Sequence, residues 1–430
     1  MSGVQSLAAA TLLLLTGCGG ATGPDGGGEP IEELPRALTA DERLVVEASN
    51  RFGFDLLARV NASDPGANHF TSPLSAHAAL SMAMNGARDS TLDAMRSTLG
   101  FAGAGGAAGG DGASPSIDAI NASYRGLADL LLDLDDRVEI GIANSVWMDE
   151  GFPFREAYAS TLREAFDARV EALDFDDPAA PDAINRWVED ATAGRIPTMI
   201  EDIDPLEVLF LLNAIYFKGE WTDQFDPANT ADAPFTRDDG TTSTVPMMRR
   251  ETGDFGLRRG PDATVADLPY GGGAFRYTIV LPPEGTPLAD LLADLDAERW
   301  DAWMSELSES DVPVHMPKFT LEWEKGLNEL LKGMGMEIAF VPGRADFGGM
   351  LAEDFDAAAP GTDLHITRVK QKSFLSVDEE GTEAAAATSV GVGVTSAPVP
   401  VVVDRPFLLA IRERFSGTIF FLGTIADPGS

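Results

Sequence analysis

The sequence predicts an α+β fold, and the order of its hydrophobic patterns is the main reason. Patterns with helical periodicity dominate the first third of the chain, whereas patterns typical of strands dominate the last third. This segregation favours mixed or antiparallel sheets over a doubly wound fold. The hydrophobic fraction of 44% is ample for a core, and 430 residues allow one large domain or two ordinary ones.

The N-terminal third contains three predicted helices. The first spans 42–60, where apolar residues recur on one face. The second begins after Ser72, which can cap it, with Pro73 in its first turn. The third begins at 89–90 and ends near Gly100.

Beyond a low-complexity loop at 102–116, strand patterns alternate with helical ones. The predicted strands are 137–150, 207–221, 242–250, 275–283, 312–324, 367–380, 405–417 and 418–428. The predicted helices are 154–166, 181–196 and 326–336. The nearly continuous apolar run at 207–221 is typical of a strand that is buried on both faces.

The N-terminus resembles the export signal of a bacterial lipoprotein. An apolar run too short to span a bilayer ends in the tetrapeptide LTGC, whose last residue, Cys18, is the only cysteine. This resembles a lipobox, in which the cysteine is acylated and becomes the new N-terminus, although no Lys or Arg precedes the run. The resemblance predicts a signal peptide at 1–17, and the Gly/Pro/Glu-rich composition that follows Cys18 predicts a flexible tether at 18–40. An ordinary secretory signal is the alternative, and either one predicts an exported protein, anchored in the cell envelope or secreted.

Composition and motifs give no indication of catalysis. The net charge of −38 disfavours binding to nucleic acids and to anionic membrane surfaces. The four His residues show no metal-binding spacing, and there is no G-x-S-x-G, phosphate loop or C-x-x-C. YGGGAF at 270–275 is most simply a turn between strands. We therefore predict a protein that is not an enzyme and has no cofactor or metal.

The stretch EEGTEAAAATSVGVGVTSAPVP at 379–400 is unusual. It opens with charged residues and a glycine, continues through four alanines and then contains no bulky side chain. A flexible linker would explain the small residues, but it would not explain the EEGTE segment placed immediately before the alanines.

Several motifs in a fixed order resemble the serpins, a family of serine protease inhibitors. These motifs are NHFTSPLSAHAALSMAMNGARDSTLDAMRSTLGF, NAIYFKGEWTDQFDPANT, VPMM, MPKF, VDEEGTEAAAAT and RPFLLAIRE…GTIFFLGTIADP. The resemblance covers roughly 43–428. It implies a single domain at 41–430, with three β-sheets, eight to nine helices and an exposed reactive-centre loop at about 379–404. It also implies a monomer that forms a covalent complex with a target serine protease.

In this family the cleaved loop inserts into the central sheet as a new strand, and the start of the loop acts as a hinge. The residues that match the hinge are Glu379, Glu380, Gly381, Thr382, Glu383, Ala384, Ala385, Ala386, Ala387 and Thr388. In a strand, Thr382, Ala384, Ala386 and Thr388 share one face, and all four are small enough to enter a packed sheet. Glu383 would then face water.

The resemblance also locates the scissile bond. Counting from Glu379, and counting back from Phe407, both give Thr395–Ser396, with Val394 as the next candidate. The loop offers no Lys, Arg, Phe, Leu, Met or Tyr between Gly381 and Asp404. We therefore expect a target with a shallow or broad primary pocket, such as an elastase-like or subtilisin-like protease.

Two further clusters carry over from the family. The shutter, where the sheet must part, corresponds to Ser72, Ser75, Asn213 and Gln371, and Gln371 stands where the family usually has His. The breach, where the loop enters, corresponds to Trp221, Lys318 and Glu379, with an expected Lys318–Glu379 ion pair. The helix at 116–136 has Arg125 and little else that is basic, so no heparin-like activator is expected. The alternative function is a non-inhibitory serpin that acts as a binding or storage module.

Overall fold

The computed structural model describes residues 30–102, 114–355, 363–382 and 398–429. These residues form three β-sheets and nine α-helices, which confirms the predicted α+β class. The helices are α1 (Ala40–Ser63), α2 (Pro73–Met84), α3 (Asp89–Thr98), α4 (Ile117–Leu131), α5 (Glu156–Phe166), α6 (Ala180–Ala191), α7 (Leu288–Ala293), α8 (Ala297–Ser305) and α9 (Asn328–Leu331).

The strands vary from two to twelve residues in length. In chain order they are β1 (His69–Thr71), β2 (Val138–Asp149), β3 (Arg169–Leu173), β4 (Leu209–Glu220), β5 (Ala231–Thr236), β6 (Thr242–Arg250), β7 (Phe255–Arg259), β8 (Thr264–Pro269), β9 (Phe275–Leu281), β10 (Ser308–Ser310), β11 (Val314–Pro317), β12 (Phe319–Gly326), β13 (Arg368–Val377), β14 (Gly381–Thr382), β15 (Val401–Val402), β16 (Phe407–Glu413) and β17 (Ile419–Ile425).

The strands form one large antiparallel sheet, one small sheet and one central sheet. The seven-stranded sheet has the order β1-β17-β16-β9-β8-β7-β10, and the four-stranded sheet has the order β15-β11-β6-β5. The central sheet has the order β12-β13-β4-β2-β3, and β14 pairs with β4 beside this path.

Helix α2 lies between the central sheet, where it contacts β2 and β4, and the seven-stranded sheet, where it contacts β17. All of its residues are buried. As predicted, Ser72 caps it by accepting a hydrogen bond from the backbone N–H of Ser75, and Pro73 fills the first position, where no N–H is needed. The helix therefore forms a fixed support beneath the centre of the central sheet.

Strand β4 is covered on both faces, as its apolar run predicts. Leu211 and Ile215 point into the main core, which includes residues of α2. Phe210 and Ala214 point the other way, into a second core that includes residues of α6. Alternate residues thus enter different cores, and a strand placed beside β4 would meet both layers.

Two predicted elements are divided in the structure. The strand predicted at 312–324 separates at Lys318 into β11 and β12, which belong to different sheets. The helix predicted at 326–336 is α-helical only over Asn328–Leu331. It continues as a π turn in which Gly335 has a φ of 114°, a value that interrupts regular helix.

The described residues contain no helix that is both long and apolar enough to cross a membrane. The predicted signal run and Cys18 lie outside these residues. The flexible tether predicted at 18–40 is wrong for its last part, because Ile31, Leu34 and Leu38 pack against the core and α1 already begins at Ala40.

Candidate functional site

The central sheet contains a seam between β4 and β13. These two strands run parallel and pair from Arg368 opposite Phe210 to Phe374 opposite Tyr216. Their outer neighbours, β2 and β12, are antiparallel to them. A strand inserted into the seam in the opposite direction would replace one parallel pairing with two antiparallel ones, which are slightly more stable per residue.

At one end of the seam, β14 already pairs with β4 in that opposite direction. Gly381 lies opposite Glu220 and Thr382 lies opposite Gly219, and the N–H of Trp221 donates to the carbonyl of Glu380 at 2.9 Å. The side chain of Thr382 is fully buried. The chain thus leaves β13, turns and begins to run back along the seam.

Gly381 is required at this turn because nothing larger fits. A Cβ atom built on Gly381 would lie 2.0 Å from the carbonyl oxygen of Gly219, and the φ of 156° is unfavourable for other residues. The predicted hinge glycine therefore brings two backbones into close approach.

The structure narrows the exposed part of the predicted loop. Residues 379–404 were predicted as an exposed loop, but Glu379, Gly381 and Thr382 are buried, and Val401–Val402 forms a strand. These ends are buried because backbone pairing continues into the loop from both sides. Residues 383–397 lie outside the described residues, and they include the remaining predicted hinge residues and the predicted scissile bond: Glu383, Ala384, Ala385, Ala386, Ala387, Thr388, Thr395 and Ser396.

The three predicted breach residues surround this turn. Lys318 Nζ lies 2.6 Å from Glu379 Oε2, so the expected ion pair is present, and the hydroxyl of Thr230 donates to the other carboxylate oxygen at 2.7 Å. Burial alone would raise the pKa of Glu379, but the hydrogen bonds from Lys318 and Thr230 outweigh it and lower the pKa from its ordinary value. The carboxylate therefore stays charged and fixes the start of the hinge.

Trp221 closes the breach from the other side. Its indole N–H donates to the carbonyl of Asp378 at 2.9 Å, and its ring stacks on Tyr270 with centroids 4.4 Å apart. The side chain is almost fully buried. Trp221 therefore holds the turn through its indole N–H and through the Glu380 carbonyl bond described above.

The four predicted shutter residues meet beneath the middle of the seam. Gln371 on β13 accepts from the N–H of Ser72 at 3.0 Å and donates to the carbonyl of Ser72 at 3.1 Å and to Asn213 Oδ1 at 2.8 Å. Gln371 and Asn213 are register partners across the seam. This hydrogen bond must break if β13 and β4 separate.

Asn213 also bonds to the other side of the shutter. Its side-chain N–H groups donate to the hydroxyl of Ser75 and, at 2.8 Å, to Asn144 Oδ1 on β2. The four side chains are almost fully buried, and because Gln371 does not titrate, this network has no histidine-type pH dependence.

Three residues of this region were missed by sequence reasoning: Asn144, Thr230 and Tyr270. Asn144 lies in the buried part of β2, next to Ser145 and directly opposite Asn213. Its role becomes visible only once the pairing of β2 with β4 is known. Thr230 and Tyr270 carry no sequence signal, because both are ordinary residues near turns.

The other end of the predicted loop is fixed to the small sheet. Strand β15 pairs in parallel with β11, and Arg259 donates to the carbonyl of Val399 at 2.8 Å. The Val399 side chain is 73% exposed.

Two observations concern the residues at which ligands were considered. On α4, a nitrogen of Arg125 lies 3.0 Å from a carboxylate oxygen of Asp129, and both side chains are exposed. Within the described ranges no group of three or more metal-binding side chains comes together.

Comparison with known proteins identifies relatives of this chain. A family model described as Serpin (serine protease inhibitor) matches residues 47–428. Antithrombin-III of Mus musculus is 33% identical over 408 residues, covering 92% of this chain and 84% of that protein. The leukocyte elastase inhibitor of Sus scrofa is 32% identical over 395 residues, covering 89% of this chain and 98% of that protein.

The fold has a close counterpart among solved structures. Human thyroxine-binding globulin in complex with thyroxine superposes with a TM-score of 0.80 at 28% identity. The superposition covers 91% of this chain and 100% of that one.

Proposed function

The chain belongs to the serpin family, whose members are described as serine protease inhibitors, and from this premise we propose that it is a suicide-type inhibitor of serine proteases that prefer small or β-branched residues. In the proposed reaction the protease serine attacks the carbonyl carbon of Thr395. The Thr395–Ser396 bond breaks, Ser396 leaves with the new amino group, and Thr395 remains esterified to the protease. The freed loop then enters the seam before water can hydrolyse the ester.

The observation that carries the proposal is the direction of β14. β14 pairs Thr382 with Gly219. A strand that continued this register along the seam would have Glu383 opposite Lys218 and Thr388 opposite Asn213. The new strand would be antiparallel to both β4 and β13. No reversal of the chain is needed, because the turn at Glu379–Gly381 has already made it.

The side chains of the loop suit this register. Thr382, Ala384, Ala386 and Thr388 would face the buried side, where small residues avoid overpacking. Glu383 would face outward beside Lys218, which is only partly buried, as an opposite-charge cross-strand pair. A hinge with long or charged residues on the buried side would favour the non-inhibitory alternative.

The shutter residues contain a hydrogen bond that breaks when the seam opens and that a loop residue can replace. Separation of the strands breaks the bond between Gln371 and Asn213, and both amides would then be buried without this partner. In the proposed register Thr388 arrives opposite Asn213, with a hydroxyl that can bond there. Opening is thus unfavourable by itself and becomes favourable only with the loop in place.

The target class follows from the loop residues. Thr395 is small and β-branched, which suits a shallow apolar pocket such as that of an elastase or a broad one such as that of subtilisin. The similarity to the pig leukocyte elastase inhibitor supports the elastase-like choice. The similarity to thyroxine-binding globulin, whose name states a binding function, keeps the non-inhibitory alternative open to test.

Incubation with elastase, subtilisin and trypsin tests the proposal as a whole. We expect an SDS-stable complex with elastase or subtilisin and none with trypsin. Cleavage in the loop by all three proteases without any stable complex would favour the non-inhibitory alternative.

Replacing Thr395 with arginine is expected to move inhibition towards trypsin. The guanidinium supplies the ligand that an acidic primary pocket needs, and it no longer fits a shallow one. The rates of complex formation with elastase and trypsin measure both changes, and Thr395→Val, which keeps the branched shape, is the matched control.

Mass spectrometry of the small fragment released from the complex checks the bond itself. A fragment beginning at Ser396 identifies Thr395 as the residue that the protease attacks. A fragment beginning at Thr395 identifies Val394 instead, and one beginning far outside 391–398 would contradict the loop alignment.

We also propose that the protein is an exported lipoprotein anchored through Cys18. The N–H of Ile31 donates to the carbonyl of Gly272 at 2.9 Å, and Gly272 belongs to the turn that follows Tyr270, at the hinge end of the seam. An extended chain from Cys18 to Ile31 spans at most about 45 Å. The reactive-centre loop would therefore meet its protease close to the membrane.

Replacing Cys18 with alanine is expected to release the protein from the membrane fraction or to leave it unprocessed. Fractionation and labelling with a fatty acid analogue measure this. The wild-type protein should take up the label and the variant should not. Absence of label in the wild type would leave ordinary secretion as the export route.

A further inference from the structure

Tyr270 joins the loop hinge to the rest of the molecule. Its hydroxyl lies 2.8 Å from the hydroxyl of Thr382, and both side chains are fully buried. The two hydroxyl groups therefore share a hydrogen bond in the interior, at the mouth of the seam.

The position of Tyr270 is fixed by backbone contacts and by ring stacking. It forms an antiparallel bridge with Trp221, and the next residue, Gly271, donates to the carbonyl of Glu220 at 2.7 Å. The Tyr270 and Trp221 rings are nearly parallel, with an angle of 9° between their planes. The hydroxyl is consequently held at one place relative to the end of β4.

We propose that Tyr270 is a positioning residue that holds Thr382 in register with β4, so that insertion of the cleaved loop starts from a hinge that is already in place. This inference rests on the proposed inhibitory function and adds a residue to it.

The hydrogen bond matters because of competition after cleavage. Insertion of the loop competes with hydrolysis of the acyl-enzyme, so any delay at the first step diverts molecules from inhibition to substrate turnover. Burial raises the pKa of Tyr270 well above its ordinary value, so the hydroxyl keeps its proton. Both hydroxyl groups remain neutral partners at all physiological pH values.

Removing one of these two hydroxyl groups should destabilise the hinge more than removing both. Tyr270→Phe leaves the Thr382 hydroxyl buried without this partner, and Thr382→Val leaves the Tyr270 hydroxyl in the same condition. A double variant removes both polar groups and leaves an apolar contact of similar shape. The effects of the two substitutions on the stability of the hinge should therefore be strongly non-additive.

A neighbouring tyrosine provides the matched control. Tyr277 on β9 is also fully buried and contacts Trp221 edge-on, with ring centroids 5.3 Å apart. Within the described part of the chain its hydroxyl has no hydrogen-bond partner. Tyr277→Phe thus removes a buried tyrosine hydroxyl from the same aromatic group without touching the hinge.

Hydrogen exchange of the full-length protein measures the hinge without any protease. We expect Tyr270→Phe and Thr382→Val each to speed exchange in the peptide covering 378–382, by roughly fivefold. The double variant should exchange more slowly than either single variant, and Tyr277→Phe should match the wild type. Additive single effects, or an equal effect of Tyr277→Phe, would overturn the proposal.

The stoichiometry of inhibition then measures the consequence for function. The single variants should consume more inhibitor per protease trapped, with the double variant closer to the wild type and Tyr277→Phe unchanged. Unaltered stoichiometry alongside faster exchange would overturn the role in insertion. If wild type traps no protease, the proposed function fails, and the exchange experiment still decides whether Tyr270 positions the hinge.

Discussion

Replacing Thr382 with arginine is expected to turn the inhibitor into a substrate. Thr382 is fully buried against Tyr270, so a long cationic side chain has no room and no partner there. Burying it unpaired costs several kcal/mol, and each 1.4 kcal/mol slows a step about tenfold. Insertion should slow by more than about a hundredfold, and the acyl-enzyme should hydrolyse instead.

The stoichiometry of inhibition, with gel analysis of complex and cleaved products, measures this change. Thr382→Ser, which keeps a small hydroxyl side chain, is the control and should inhibit like the wild type. If Thr382→Arg traps protease with wild-type stoichiometry, trapping does not depend on a strand that starts at Thr382 and the insertion mechanism is wrong.

Cleavage of the loop is expected to stabilise the protein. The inserted strand would pair with β4 and β13 on its two edges and bury its inward side chains beneath the central sheet, as the direction of β14 indicates. Each additional kcal/mol raises the melting temperature by roughly 2 °C in a large domain. We expect cleavage within 390–398 to raise it by more than about 10 °C.

Calorimetry of the intact and cleaved protein measures the difference. Cleavage of an ordinary exposed loop does not stabilise a fold. Thr382→Arg, cleaved at the same bond, is therefore the control, and its melting temperature should rise little because its loop cannot insert. An unchanged or lower melting temperature of the cleaved wild type would favour the non-inhibitory alternative.

Much of the fold could be predicted because its long elements carry strong patterns. The apolar run at 207–221 predicted a doubly buried strand, and β4 is one because α2 and α6 cover its two faces. The elements that were missed are short: β1, β3, β5, β7, β8, β10, α7 and α8 have three to nine residues, too few to show a clear period.

The candidate site was predictable only in part, because its contacts join distant segments. The family resemblance indicated Gln371 and Asn213, but their bond depends on the parallel register of β13 and β4. The role of Tyr270 depends on where Thr382 lies, and no local pattern near YGGGAF specifies that. The family resemblance predicted an exposed loop at about 379–404, whereas backbone pairing buries Glu379, Gly381 and Thr382 at its start.

The most direct test of loop insertion is a disulfide between the loop and β4. If the loop continued along β4 in the register of β14, Ala387 would lie opposite Ala214. The bond from Trp221 to Glu380 would make this a non-hydrogen-bonded pair. In such pairs the Cα atoms are about 4.5 Å apart, which allows a disulfide. The variant carries Ala387→Cys and Ala214→Cys, with Cys18→Ala to remove the only native thiol.

Ala386→Cys replaces Ala387→Cys in the control, because residue 386 would face the opposite side of the sheet from Ala214. Both variants are oxidised before and after cleavage by the target protease, and the disulfide is detected by peptide mass spectrometry. We expect a disulfide between 387 and 214 only after cleavage, and none in the control. Its absence after cleavage, or equal formation in the control, would contradict insertion of the loop beside β4.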